Sequence, residues 1–366
     1  MRGPGWQGKQ LRALAGLMVL LVALACGPAR ATGDAAPAAP PPTVAAAESA
    51  GPVVAPGSAP APLQKVHGSY SGIQVVQSPA WLALEGGYFR EQGLDVDLTL
   101  ITSGATLLAA LRNGEVELAG TGGSTLLLGY VEGLETMLIG APVRLLDFSV
   151  FVRPDIRTTD ELRGKTLGVN RLKSTTDVGT RLALQRLGLQ PDVDVFTRGT
   201  GGQTESLAAM ETGAVDGATF GMPILVEARR RGYTELVQIN DRGIRIPFIN
   251  GAIGTTQRMI AQQPDVLDRA MRALAQGIQR FKRDREFGIQ VLGKYSQLES
   301  RDLLEASVDY YQPLLEPDLY PDREAMQVVI DAEENPAART TKPEDVTDYR
   351  FAERLRSSGF LDQLGR

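Results

Sequence analysis

Histidine and cysteine are almost missing from this chain: one of each, His67 and Cys26, among 366 residues. A lone cysteine excludes an intrachain disulfide. Without further histidines or cysteines the chain cannot build the common His- or Cys-rich metal sites or a histidine-based nucleophilic triad. His67, in the run Lys65-Val66-His67-Gly68-Ser69-Tyr70, reads as a strand or strand-edge side chain. A basic excess is missing as well, with 38 Lys and Arg against 43 Asp and Glu. That balance argues against a nucleic-acid partner, whose phosphates call for a basic face. Long hydrophobic runs are missing too. The one candidate, Ala13 to Ala25, has about 13 residues where a bilayer-spanning helix needs about 20.

The motifs of common chemistries are also missing. "RGKT" at 163–166 ends like a nucleotide-binding loop, but Thr159 stands where its first glycine belongs. No Gly-x-Ser-x-Gly elbow, His-Glu-x-x-His pair or Gly-x-Gly-x-x-Gly turn after a first strand is found. Asp95/Asp97 and Glu115/Glu117 could mimic paired catalytic carboxylates, but their alternation places them at solvated strand ends.

What is present begins with an address. Arg2, Lys9 and Arg12 precede the apolar run, and small residues lead into Cys26, so residues 1–25 read as an export signal. A thiol directly after Ala23-Leu24-Ala25 is most simply a lipidation site, although Ala23 and Leu24 exchange the usual places of leucine and small residue in a bacterial lipobox. The other reading is a secreted protein in which Cys26 is incidental. After Cys26, residues 27–62 are mostly Ala, Pro, Gly, Ser and Thr with hardly a large apolar side chain, so that 26–62 reads as a tether that cannot offset the entropy of ordering. Removing residues 1–25 takes away three basic and no acidic charges, leaving 35 against 43, a net charge near −8.

From Leu63 onward, short β-rich segments ("VHGSYSGIQVV", "LDVDLTLI", "VELAGTG", "TMLIGAP", "LLDFSVFVRP") alternate with helical patterns, as α/β units do. Then the chain repeats itself. Residues 103–119, SGATLLAALRNGEVELA, align with 202–218 at a constant offset of 99, and both pass from a polar or glycine loop into a short helix, a glycine and an acid-bearing strand. Gly114 and Gly213 fall at the same helix-to-strand corner, where a left-handed residue is wanted. Two similar α/β lobes in tandem is the economical reading; chance likeness of generic units is the other. Such lobes leave a cleft, and ligands of open α/β sheets gather beyond the strands' C-terminal ends, at helix N-termini. The loops available there are Ser71-Gly72, Ser103-Gly104, Thr121-Gly122-Gly123-Ser124, Ser174-Thr175-Thr176-Asp177 and Gly201-Gly202-Gln203-Thr204. Ordinary helix capping would use the same residues.

The segments "LALEGGYFREQGLDVDL", "GATLLAALRNGEVELAGTG", "LRGKTLGVNRLKSTTDVGTRLALQRLGL" and "LAAMETGAVDGATFGMP" resemble, in this order and over about residues 65–350, the extracytoplasmic substrate-binding proteins of ABC importers, specifically the nitrate/sulfonate/taurine and thiamine-pyrimidine-precursor group. The resemblance implies an α/β, two-lobed periplasmic-binding-protein-like type II fold with an inter-lobe cleft. It implies capture of a small organic or anionic ligand by hinge closure, delivery to a membrane permease driven by an ATPase, and no chemistry on the ligand and no cofactor. Lobe 1 would span 63–154 and 250–366 and lobe 2 155–249, with hinges near Phe151-Val152-Arg153 and Ile249-Asn250-Gly251. Carried over residue by residue, the ligand-facing positions are Ser71, Ser103, Gly104, Gly122, Ser124, Thr175, Thr176 and Asp177, with Phe220 and Met222 as an apolar wall or as lobe core. Tyr70 and Trp81 are further candidates to stack a planar ligand, or else to be buried in the first lobe. The arginine that relatives often place against a sulfonate or nitrate has no obvious counterpart; Lys173 and Arg171 are the nearest cations. One related class resembles a pyrimidine-forming enzyme with a cysteine-rich motif, which this chain lacks.

Beyond Asn250 the pattern turns helical, and Leu267, Met271, Leu274, Ile278 and Phe281 form the stripe of a helix packing onto a lobe. These segments are expected as helical cladding on lobe 1. The resulting picture is a monomeric, lipid-anchored, extracytoplasmic binding protein. Two alternatives use the same clamp: a sensory or scaffold lipoprotein, and an enzyme for which Asp177 near Lys173 is the pair to inspect.

Overall fold

Two five-stranded sheets carry the molecule in the computed structural model, which describes residues 62–239 and 244–365. Cys26, the export signal and nearly all of the tether lie outside the described residues. The first sheet takes β1 (Gln64–Tyr70), β2 (Leu94–Leu100), β3 (Leu118–Thr121), β4 (Thr136–Leu145) and β10 (Pro247–Thr256) in the order β2-β1-β3-β10-β4. The second takes β5 (Ser149–Val152), β6 (Lys165–Val169), β7 (Val195–Gly199), β8 (Gly217–Phe220) and β9 (Thr234–Gln238) in the order β7-β6-β8-β5-β9.

The sheets share one topology. In each, three strands run parallel through helical crossovers, and the fourth place is taken by an antiparallel strand that arrives from the other half: β10 in the first sheet, β5 in the second. The repeat seen in the sequence is this shared topology. Gly114 (φ 77°) and Gly213 (φ 73°) turn the corner after the helices Gly104–Asn113 and Gln203–Glu211, a left-handed conformation that favours glycine.

The chain crosses between the sheets at residues 146–148, between β4 and β5, and again between β9 and β10. The crossings do not fall at 151–153 or 249–251, where hinges are expected from the resemblance. Phe151 and Val152 pair with β8 and β9 inside the second sheet, and Ile249–Gly251 lie within β10 of the first. The run from Leu146 to Val152 is buried throughout and, Asp147 and Ser149 apart, apolar, so its sequence carries no glycine or proline turn signal at the place where it changes sheets.

The cladding helices follow the apolar stripe. In the helix Pro264–Arg283, Leu267, Met271, Leu274, Ile278 and Phe281 are all buried, each burial contributing about 1.5–3 kcal/mol. This helix lies so close to the helix Ser78–Glu85 that a Cβ on Gly277 would stand 2.6 Å from the Ala83 nitrogen. The cladding also reaches beyond the first sheet. From the helix Arg301–Tyr311, Tyr310 donates its hydroxyl to the Asp147 carbonyl (3.0 Å), and Tyr311 donates to the Asp147 carboxylate, both at the first crossing.

Candidate functional site

The strands β1, β3 and β6 point their C-terminal ends at the joint between the sheets, and the loops that follow carry the residues of interest. After β3, Gly122 precedes the helix Gly123–Val131. After β6, the loop 170–174 leads into the helix Thr175–Arg186. The two helix starts meet: a Cβ added to Gly122 would lie 3.4 Å from the Thr175 hydroxyl oxygen. Glycine next door has a packing reason, since a Cβ on Gly123 would stand 2.7 Å from that of Ile249. Two sets of N-terminal amides, one from each sheet, thus flank one place, an arrangement that favours a negative or hydrogen-bond-accepting group.

The 170–176 loop is fixed by its own side chains. Asn170 N–H donates to the Thr176 hydroxyl (3.1 Å), the Ser174 hydroxyl to the Arg171 carbonyl (2.7 Å), and Lys173 N–H to an Asp177 carboxylate oxygen (2.7 Å). The other Asp177 oxygen accepts from Arg181 Nε (3.0 Å), and Arg181 also pairs with Asp192. Thr176 and Asp177 are buried and shape the loop. Lys173, in a left-handed conformation (φ 65°), reaches Glu334 at 2.7 Å. Beneath lies a cavity of about 40 Å³, lined among others by Ser124, Asp177, Val178, Arg181, Val329 and Glu334.

The structure sorts the expected residues into three groups. Gly122, Ser124, Thr175, Thr176 and Asp177 come together at the joint. Ser71, Ser103 and Gly104 stand on first-sheet loops. There Ser71 N–H faces the Gln77 side chain (3.5 Å), Ser103 caps its helix by accepting from Thr106 N–H (3.3 Å), and Gly104 neighbours Thr125. The third group belongs to the cores. Trp81 is fully buried and stacks on Tyr295 (centroids 5.2 Å apart, planes at 7°), with the half-buried Tyr70 edge-on at 5.4 Å. Phe220 and Met222 are buried, Phe220 against Phe151 at 5.8 Å. Trp81, Phe220 and Met222 are thus enclosed by the core, and only Tyr70 of the four keeps an exposed part. Aromatic and thioether side chains beside a glycine-rich loop suit a core and a pocket equally, and only packing separates the two.

Sequence reasoning missed the buried polar centre at the crossings. Asp147 is wholly buried, and its carboxylate accepts from the Asn250 amide and the Tyr311 hydroxyl. Burial pushes its pKa up to about 6 against the opposing pull of those hydrogen bonds, and burial and the Asp147 charge lift the Tyr311 hydroxyl well above its ordinary value. An aspartate inside an otherwise apolar run, "RLLDFSVFV", was the available signal. Among the described residues no group of three or more His, Cys, Asp or Glu side chains is placed to hold a metal ion.

Two sheets of this topology, joined by two crossings with loops facing across the joint, form the periplasmic-binding-protein fold. The profile of the NMT1/THI5-like family matches residues 75–286, more than half of the chain, and the chain belongs to that family. Its fold is similar to that of the alkanesulfonate-binding protein of Xanthomonas axonopodis pv. citri bound to MOPS, at 20% identity and TM-score 0.63, over 79% of this chain and 99% of that one. The nitrate-binding protein of Synechocystis is similar at 13% identity and TM-score 0.62, covering 81% and 89%. A Candida albicans protein with the generic periplasmic-binding-protein fold is similar at 16% identity and TM-score 0.61, covering 79% and 96%. At such identities the likeness is one of fold. No curated protein sequence gives a significant match.

Proposed function

We propose that this protein is the solute-binding component of an ABC importer, which captures a small organic or anionic ligand between its lobes and delivers it to a membrane permease coupled to an ATPase. The observation that carries the proposal is the meeting of the two helix starts at Gly122 and Thr175, one from each sheet, which sets amide donors on both sides of one joint. The similarity in fold to sulfonate- and nitrate-binding proteins supports the same reading. On this reading the site includes Ser71, Ser103, Gly104, Gly122, Ser124 and Thr175, while Thr176 and Asp177 hold the loop in shape. The work is binding rather than catalysis. The one pair to inspect for chemistry is otherwise engaged, since Asp177 takes the Lys173 main-chain N–H and Arg181, and the Lys173 ammonium takes Glu334. The remaining proposals are an extracytoplasmic location, anchoring through a lipid on Cys26 and a monomeric body.

Thermal unfolding of the purified chain, freed of co-purified ligand, against sulfonates, nitrate, bicarbonate, aromatic carboxylates and pyrimidines tests the function. A ligand that binds the native state raises the midpoint by mass action. A shift confined to one chemical class supports solute capture; a folded protein indifferent to every class counts against it.

A further inference from the structure

We propose that Lys173 and Glu334 form a latch between the lobes, made when the cleft is shut and broken when it opens, which sets how much of the unliganded protein rests closed. The proposal rests on the clamp reading above. The Lys173 ammonium lies 2.7 Å from Glu334, and the two arrive from opposite halves of the molecule. Lys173 belongs to the loop after β6 of the second sheet, held in place through its own N–H by the buried Asp177. Glu334 belongs to the segment after the helix Arg323–Asp331, which packs on the Gly123–Val131 helix and on β10 of the first sheet. That segment is also braced: Asn335 N–H donates to Glu333 (3.0 Å) and the Asn335 side chain accepts from Ala337 N–H (3.0 Å). Both charges are therefore presented from fixed backbones, across the small cavity at the joint.

The strength of the pair suits a latch. Lys173 is 74% and Glu334 67% exposed, so water and salt screen their attraction, and a contact of this kind biases an equilibrium without freezing it. Each partner holds the other in its charged form, Glu334 raising the Lys173 pKa and Lys173 lowering that of Glu334, so the latch answers to ionic strength rather than to pH near neutrality. A second pair crosses in the same sense, Arg230 to Asp302 at 3.5 Å, but it is longer and Asp302 is 80% exposed.

The test measures lobe separation directly. Spin labels on Glu132→Cys and Gln185→Cys, both exposed positions, one on each half, in a full chain carrying Cys26→Ser, give a distance distribution by pulsed electron resonance. Two populations are expected. Lys173→Glu or Glu334→Lys alone should shift the ratio toward the longer distance by about 2- to 5-fold, the scale of an exposed ion pair. The double exchange Lys173→Glu/Glu334→Lys should restore it, and 1 M salt, as an assay condition of about 3 Å screening length, should act on the native chain like either reversal. Two populations indifferent to both reversals, or reversals that the exchange does not rescue, would overturn the latch alone. A single distance in every variant, unmoved by sulfonates or nitrate, would overturn the clamp itself.

Discussion

The carboxylate of Asp147, in the first crossing between the sheets, accepts a hydrogen bond from the side-chain amide of Asn250, in the strand that begins after the second. The two connections are thus tied to each other, and Tyr311 ties both to the C-terminal helices. A fully buried carboxylate at such a place has a consequence for stability.

Asp147 keeps its proton to about pH 6 in the folded protein, whereas an unfolded aspartate releases it near 3.9. The native state binds the proton more tightly, so this group's contribution to stability is fully present below about pH 4 and is lost as pH rises through about 6. The difference amounts to roughly 3 kcal/mol. Thermal unfolding of native protein and Asp147→Asn between pH 4 and 7 should show the native chain losing stability relative to the variant across that window. Parallel curves would show that Asp147 is not the titrating group.

Gly277 marks the closest approach of the Pro264–Arg283 and Ser78–Glu85 helices, where a Cβ would meet backbone at 2.6–3.0 Å. Alanine gains about 1 kcal/mol of helix propensity there, but backbone cannot yield as a side chain can, and overpacking costs about 1–3 kcal/mol. Gly277→Ala should therefore lower the unfolding midpoint. An unchanged or higher midpoint would mean that the helices separate at little expense.

Trp81 is core and not ligand surface, stacked on Tyr295 with its indole nitrogen buried and without a hydrogen-bond partner. Trp81→Phe should destabilise the fold by about 1–3 kcal/mol while leaving the ligand-induced rise in midpoint intact. Loss of that rise in a variant still well folded would return Trp81 to the binding site.

Gly122 has an ordinary backbone conformation (φ −96°), so space rather than strain limits what can stand there. Gly122→Leu would place its side chain from a Cβ 3.4 Å from the Thr175 hydroxyl oxygen, at the place where the helix starts meet. The variant should unfold near the native midpoint yet lose most of the ligand-induced shift, with Gly122→Ala keeping more of it. An undiminished shift in the leucine variant would move the binding site away from this joint.

Much of the fold was legible in the sequence because its signals are local. Gly114 and Gly213 each mark a corner that only a left-handed residue turns easily, and the Leu267-to-Phe281 stripe recurs at the period of a helix. The repeat at a constant offset exposed two copies of one topology. The candidate site was legible only in part. Glycines and hydroxyls at helix starts pointed to Gly122, Ser124 and Thr175, whereas Phe220 and Met222 came from the family resemblance alone, as apolar wall or as lobe core, and the structure buries both.

The amino-acid sequence by itself determined two α/β halves, their order and their helical cladding, since periodicity, caps and turn residues act within windows of a dozen residues. Only the tertiary structure decided where the chain changes sheets, that Asp147 meets Asn250 across 103 residues, and that Lys173 meets Glu334. Those contacts depend on how distant segments are placed relative to each other. Their free energy comes from desolvation and charge at the place of meeting, a quantity that neither segment carries alone.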